Sequence, residues 1–179
     1  MRIRFVLTVL ASFGLCSCKT VTAYLNADDL TSGSDQKQSA APCNDLEQQG
    51  EEVELTASSD AAPVPQGGTI EDGTYVLTNS TLHTKAKPGG SKLVALGRIT
   101  VVVNGSTSQM VRNATDGRER RTTINRVTEG TATTLLPTCV SPDPKSSEKT
   151  TTRYTATRDS FKYITPGPAG TVVATYTKL

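Results

Sequence analysis

The chain has 179 residues and a formal net charge of +2, and only 4% of its residues are aromatic. This length allows one domain with its own core. The single histidine excludes a metal site of paired histidines and weakens any catalytic scheme that depends on a histidine. The sequence also has no nucleophile elbow, no glycine-rich loop between a strand and a helix, and no HExxH motif. We therefore predict no enzymatic activity, no cofactor and no metal site, and we separately predict no nucleic-acid partner.

The first 17 residues have the layout of a signal peptide. Arg2 and Arg4 give a positive start, and an apolar run follows from Phe5 to Leu15. A membrane-spanning helix needs about 20 predominantly apolar residues, and this run is shorter. We therefore predict that residues 1–17 are removed on export.

The end of this segment, Leu15-Cys16-Ser17-Cys18, resembles the lipobox of bacterial lipoproteins. The resemblance implies a diacylglyceryl thioether on Cys18, usually with a further N-acyl chain such as palmitate, and hence stable anchoring in a lipid bilayer. Cys16 does not fit, because bulky Leu15 would precede it. Lys19, in place of the aspartate that retains lipoproteins in the inner membrane, implies the outer membrane. The alternative is an ordinary cysteine after a conventional signal peptide.

Two segments precede the predicted main domain. Residues 18–42 are mainly small and polar, which predicts a disordered tether with a reach of roughly 25–30 Å. Residues 43–72 form an acidic segment, in which 44–48 could make one helical turn and Val53 and Leu55 alternate with glutamates as in a short strand. Residues 18–72 have a net charge of −9 and residues 73–179 of +9, so the acidic segment could lie on the basic domain.

Cys43 and Cys139 are the cysteines that remain after export and lipidation. In an oxidising compartment two such thiols predict one disulfide bond. The alternative is two unpaired thiols.

The region 73–179 reads as β structure, with β-branched and aromatic residues in short runs between turn residues. Gly105, Gly117 and Gly130 supply the positive φ that tight hairpins need, and Pro137 is expected near a strand end. The eight predicted strands are 73–84, 93–103, 106–113, 118–128, 131–138, 150–157, 161–165 and 171–178.

Short joins make consecutive strands antiparallel neighbours, which predicts an all-β, eight-stranded, up-and-down barrel. A sandwich of the same strands is the alternative. Threonine, arginine and lysine are expected outside. The predicted inward side chains are Tyr75, Leu77, Ile99, Val101, Val103, Met110, Ile124, Leu135, Tyr154, Phe161, Tyr163, Val172 and Tyr176.

Gly73-Thr74-Tyr75 resembles the Gly-x-Trp motif that opens lipocalin and other calycin barrels, with tyrosine in place of tryptophan. The stretch 67–78 is also similar to segments of small myxobacterial lipoproteins. These resemblances imply a lipocalin-like barrel and carry no ligand or activity with them.

The basic residues of the domain suggest one candidate binding surface. Arginines on neighbouring strands could form a cationic stripe for an anionic lipid or polysaccharide, although a solvated exterior would have the same composition. These residues are Arg98, Arg112, Arg118, Arg120, Arg121 and Arg126.

These features predict a membrane-anchored lipoprotein with a structural or interaction role. The alternative is a lipocalin-like binding module for a small apolar or anionic ligand.

Overall fold

The computed structural model describes residues 41–85, 95–143 and 148–179. In these ranges the chain is all β, with nine strands in one sheet and no helix. The strands are β1 (Val53–Ser58), β2 (Gly73–His83), β3 (Ala95–Asn104), β4 (Thr107–Asn113), β5 (Glu119–Glu129), β6 (Ala132–Ser141), β7 (Thr150–Ala156), β8 (Ser160–Gly167) and β9 (Gly170–Lys178).

The sheet follows chain order, and each strand from β2 to β9 is antiparallel to the next. β2 also pairs with β9, from Tyr75 opposite Lys178 to His83 opposite Thr171. The predicted turn glycines are confirmed, since Gly105, Gly117 and Gly130 have φ values of 55°, 80° and 57°. The end of the sheet with the β3–β4 turn is called the Gly105 end. The opposite end, with the β4–β5 turn, is called the Gly117 end.

The strand count of eight is wrong, because β1 is a ninth member of the sheet. β2 pairs with β3 only over Gly73–Val76, at the Gly105 end. Towards the Gly117 end β1 lies between them, parallel to β2 and antiparallel to β3. Where β2 and β3 do not pair with each other, some of their backbone N–H and C=O groups pair with β1 instead.

One face of the sheet, the core face, carries the main hydrophobic cluster. Phe161 is 1% exposed and stacks on Tyr176 with ring centroids 4.7 Å apart, while Tyr75 and Tyr163 each lie 5.0 Å from it. The register places every predicted inward side chain on this face. The buried residues of the main cluster are Tyr75, Leu77, Ile99, Val101, Val103, Phe161 and Tyr176.

The predicted helical turn at residues 44–48 is wrong. This stretch is irregular and lies against β3, β4 and β5 on the opposite, outer face. Asn44 Nδ2 donates to the carbonyls of Met110 and Thr122, and Gln48 Nε2 donates to those of Arg98 and Val111. Bonds to sheet carbonyls replace the local bonds of a helix turn, so the capping pattern did not determine the conformation.

We call residues 43–50 the clamp segment. Cys43 is joined to Cys139 of β6, with 5.6 Å between the two Cα atoms. Further along, the amides of Gln49 and Gly50 both donate to the Thr100 hydroxyl. The clamp segment explains why Val111, on the outer face, is fully buried.

Pro137 lies inside β6 and not at its end. β6 pairs with β7 only up to Leu135, and its register with β5 shifts between Thr123 and Ile124, opposite the proline. A proline has no N–H to donate, and it is tolerated at an irregular position where one side of the strand has no described partner strand.

Gly97 allows β3 to approach the end of β4. Its φ is +79°, and a Cβ atom there would lie 2.0 Å from the carbonyl oxygen of Asn113. We expect Gly97→Ala to lower the free energy of unfolding by more than about 3 kcal/mol, because left-handed strain adds to displacement of backbone.

Gly117→Ala is the matched control for this substitution. Gly117 has a φ of +80° but no atom within 4 Å of the new Cβ, so only the conformational cost of about 1–2 kcal/mol applies. Urea unfolding of both variants separates crowding from strain, and equal losses would contradict the role of the close approach.

Candidate anion-binding site

The arginines predicted to form a stripe are divided between the two faces of the sheet. Arg112, Arg120 and Arg126 lie on the core face, because they share the strand alternation of Met110 and Ile124. The expectation that arginines lie outside is therefore wrong for these three. Arg98 and Arg121 lie on the outer face, and Arg118 is in the turn before β5.

Arg112 and Arg120 form the centre of a basic cluster at the Gly117 end. They are directly opposite each other in the pairing of β4 with β5. With Arg118 they line a cavity of about 340 Å³, together with Ala114, Glu119, Pro142 and Asp143. We call the three arginines the basic mouth.

The carboxylates near the basic mouth neutralise part of its charge. Asp116 pairs with Arg118 at 2.6 Å, and the backbone N–H of Arg118 is the first of the contacts that lower the pKa of Asp116. Glu119 turns its carboxylate to Arg121, also at 2.6 Å. Among the described residues, no carboxylate oxygen lies within 4.0 Å of a nitrogen of Arg112, whose Nε donates to the Leu96 carbonyl.

Arg121 holds the clamp segment. Its Nη1 donates to the carbonyls of Asn44 and Leu46, at 3.1 and 2.8 Å. These bonds and the pairing with Glu119 use Nη1 and Nε of the guanidinium. Arg98 is exposed on the outer face, so the structure does not bring these two residues to the basic mouth.

Arg126 is at the Gly105 end and is only 9% exposed. Its Nη2 donates to the Gly105 carbonyl at 2.5 Å. It borders a second cavity, of about 350 Å³, which the chain before β2 lines on one side. The lining residues are Gly68, Thr69, Ile70, Gly105, Ser106, Arg126, Thr128 and Tyr154.

Two core-face tyrosines are affected by this environment. Burial raises the pKa of Tyr163 to about 12, although the nearby Arg126 guanidinium acts in the opposite direction. Burial likewise raises the pKa of Tyr176. Both phenols therefore remain neutral at physiological pH and do not compensate the charge of the arginines.

Other candidate chemistry is limited. The part of the chain that the structure describes contains no group of three or more His, Cys, Asp or Glu residues that could hold a metal ion. His83 Nδ1 lies 3.1 Å from the Asp60 carbonyl, at the end of β2. No helix in residues 41–85, 95–143 and 148–179 is long and apolar enough to span a membrane. Cys18, the predicted lipidation site, lies outside these residues.

The core-face position of Arg112, Arg120 and Arg126 had a signal in the sequence. Ile124 was predicted to face inward, and Arg120 and Arg126 are each an even number of residues from it. Because strand side chains alternate with a period of two, they share its face. The regular alternation therefore identifies them as core-face residues, although charged side chains are usually exposed.

Comparisons with protein-family models, with curated proteins and with solved structures found no match to this chain.

Proposed function

We propose that this chain is a bacterial outer-membrane lipoprotein, anchored by acylated Cys18, whose β domain has an interaction role. The Arg2-to-Cys18 segment supports the anchor through its resemblance to a signal peptide with a lipobox. The domain is proposed to engage anionic groups of lipid or polysaccharide through the basic mouth.

The domain itself is proposed to be a lipocalin-like up-and-down barrel formed by β2 to β9, with β1 inserted between β2 and β3. Pairing of β2 with both β3 and β9 supports closure, because it makes the first and last strands of the meander neighbours. The single sheet with one shared core face supports this reading over a sandwich.

An apolar ligand inside the domain is disfavoured by the packing of the core. Phe161, Tyr163 and Tyr176 contact one another with centroids 4.7 to 5.9 Å apart, and Tyr75 packs on Phe161 from another side. Side chains already occupy the space that a hydrocarbon chain would need. This favours an interaction role at a surface.

The observation that carries the interaction role is the directly opposed pair Arg112 and Arg120. A phosphate or carboxylate between the two guanidinium groups would accept charge-assisted hydrogen bonds from both sides. The 340 Å³ cavity beside them has room for such a group.

The anchor has a direct test. Intact mass spectrometry of the mature protein should show a chain that begins at residue 18 and carries a diacylglyceryl group and an amide-linked acyl chain. The Cys18→Ser protein should lack both. A mature wild-type protein with a free thiol at residue 18, or with another N-terminus, would reject the anchor.

The basic mouth is tested with the acylated protein in a neutral detergent. Titration calorimetry with the phosphorylated sugar released from lipopolysaccharide should show binding that weakens as salt is raised, because screening shortens the reach of charge to about 10 Å at 0.1 M. Arg112→Gln and Arg120→Gln should each weaken it about tenfold or more, roughly 1.4 kcal/mol.

Arg98→Gln is the control, since it removes an equal charge from the outer face at the same end. It should leave the affinity within about twofold, well under 1 kcal/mol. A parallel titration with micelles of short-chain phosphatidylglycerol distinguishes a lipid from a polysaccharide source of phosphate. Equal affinities of wild type and both mouth variants for either probe would reject the proposed role.

A further inference from the structure

A second basic site lies at the Gly105 end, well separated from the basic mouth. Arg120 and Arg126 are six residues apart on β5, a distance of about 20 Å at 3.3 Å per residue. The two sites therefore do not share one small ligand, and the inference that follows does not depend on the basic mouth.

Arg126 is a buried cation whose hydrogen-bonding capacity is only partly used. Its Nη2 has one bond, to the Gly105 carbonyl, and its buried Nε has no acceptor among the described residues. Within residues 41–85, 95–143 and 148–179, no carboxylate oxygen lies within 4.0 Å of a nitrogen of the Arg126 guanidinium. Burying a charge costs several kcal/mol unless an opposite charge or a full set of hydrogen bonds compensates it.

The surrounding groups supply no opposite charge. Tyr163 shares a side-chain hydrogen bond with Arg126, but its phenol is neutral, and burial raises its pKa to about 12. Asp72 accepts from the amide of Gly105 at 2.7 Å, while Glu71 and Asp159 are exposed. These carboxylates lie near this end of the sheet without pairing with Arg126, and they would repel a multiply charged anion more than a singly charged one.

The cavity beside Arg126 combines polar and apolar walls. Ser106 and Thr128 provide hydroxyl groups, and Ile70 and the Tyr154 ring provide apolar surface. The chain before β2, which lines one side of the cavity, is held in place by two tyrosines. The Tyr154 hydroxyl donates to the Gly68 carbonyl at 2.7 Å, and the Tyr75 hydroxyl donates to the Glu71 carbonyl at 2.8 Å. The cavity volume of about 350 Å³ is near the lower end of the range of small-molecule sites, about 300–1,000 Å³.

We propose that this cavity binds a small organic monoanion, a carboxylate with a short apolar body, through Arg126. The carboxylate accepts charge-assisted hydrogen bonds from the guanidinium N–H groups of Arg126 that face the cavity and that the Gly105 carbonyl does not use. The apolar body lies against Ile70 and Tyr154. The hydroxyl groups of Ser106 and Thr128 donate hydrogen bonds to the carboxylate lone pairs that the guanidinium does not use.

The test uses the acylated protein in neutral detergent, with butyrate as the probe. At constant ionic strength, butyrate in place of chloride should raise the unfolding temperature, because a ligand that binds the native state stabilises it by mass action. Butyramide, which has the same shape without the charge, should have no effect. Calorimetric titration with butyrate should give a dissociation constant for the same process.

Two variants address the site in different ways. Arg126→Met removes the cation, and its dissociation constant for butyrate should be at least tenfold higher. Because that change alone could unfold the protein, Thr128→Phe is the second variant: Thr128 is exposed and lines the cavity, so a larger side chain fills the cavity and leaves Arg126 in place. It should keep the ligand-free unfolding temperature and lose the response to butyrate.

Arg98→Gln is the charge control and should respond as wild type does. The proposal is overturned if wild type shows no butyrate-specific rise, if butyramide acts equally, or if Thr128→Phe retains the full response. The phosphorylated-sugar titration on the same samples reports on the basic mouth separately, so that failure of one site is distinguishable from failure of the other.

Discussion

Replacing Phe161 by alanine should lower the free energy of unfolding by about 3–5 kcal/mol, the usual cost of deleting a buried aromatic side chain. Phe161 is 1% exposed and contacts the rings of Tyr75, Tyr163 and Tyr176. Its removal leaves a cavity among three rings that strands β2, β8 and β9 hold in place, so collapse around it is limited. Urea unfolding followed by far-ultraviolet circular dichroism measures the loss.

Phe161→Leu and Val127→Ala bracket this result. The leucine retains most of the volume and should cost clearly less than alanine. Val127 is 50% exposed on β5, and its truncation should change the stability by less than about 0.5 kcal/mol. If Phe161→Ala were as mild as Val127→Ala, the aromatic cluster would not be the main source of core stability.

Removing the disulfide should have an effect of similar size. Cys43 and Cys139 are 96 residues apart in sequence, and closing a loop of this length stabilises the folded state by about 4–5 kcal/mol in the chain-entropy model. Cys43→Ser combined with Cys139→Ser should lower the unfolding free energy accordingly. The effect should appear as a lower urea midpoint, because the loop constraint acts on the unfolded chain.

The same double variant should also loosen the clamp segment in the native state. Thr100 and Val111 are 1% and 0% exposed beneath it, and faster amide hydrogen exchange is expected across the middle of β3 and β4. Reducing the wild-type protein with a thiol should reproduce both changes. An unchanged midpoint together with unchanged exchange would contradict a stabilising role of the bond.

Much of the strand pattern could be predicted, because it depends on local chemistry. Alternating apolar residues and turn glycines identified the eight strands from β2 to β9 to within about three residues at each end, and they also identified the core-face aromatics. β1 could be suspected from Val53 and Leu55. Its place between β2 and β3 could not, since parallel pairing with a strand further along the chain leaves no local signal.

The clamp segment and the arginines show two other limits of sequence reasoning. Asn44 and Gln48 match the local pattern of a capped helical turn. Their amide groups instead donate to strand carbonyls that are 63 to 78 residues away in sequence. No local pattern identifies such distant partners. The charge of Arg112 and Arg126 predicts an exposed position, but the strand alternation places them on the same face as Met110 and Ile124. Here the periodicity was the better guide than residue type.

The link between Cys43 and β6 also determines how the domain would respond to mechanical load. A pull on the chain from the N-terminal side of Cys43 passes through the disulfide into β6, so tension bypasses residues 44–58. β6 is bonded to β5 along nearly its whole length, and many hydrogen bonds share the force. β1, which has only short pairings with its neighbours, is thereby shielded from being peeled off first.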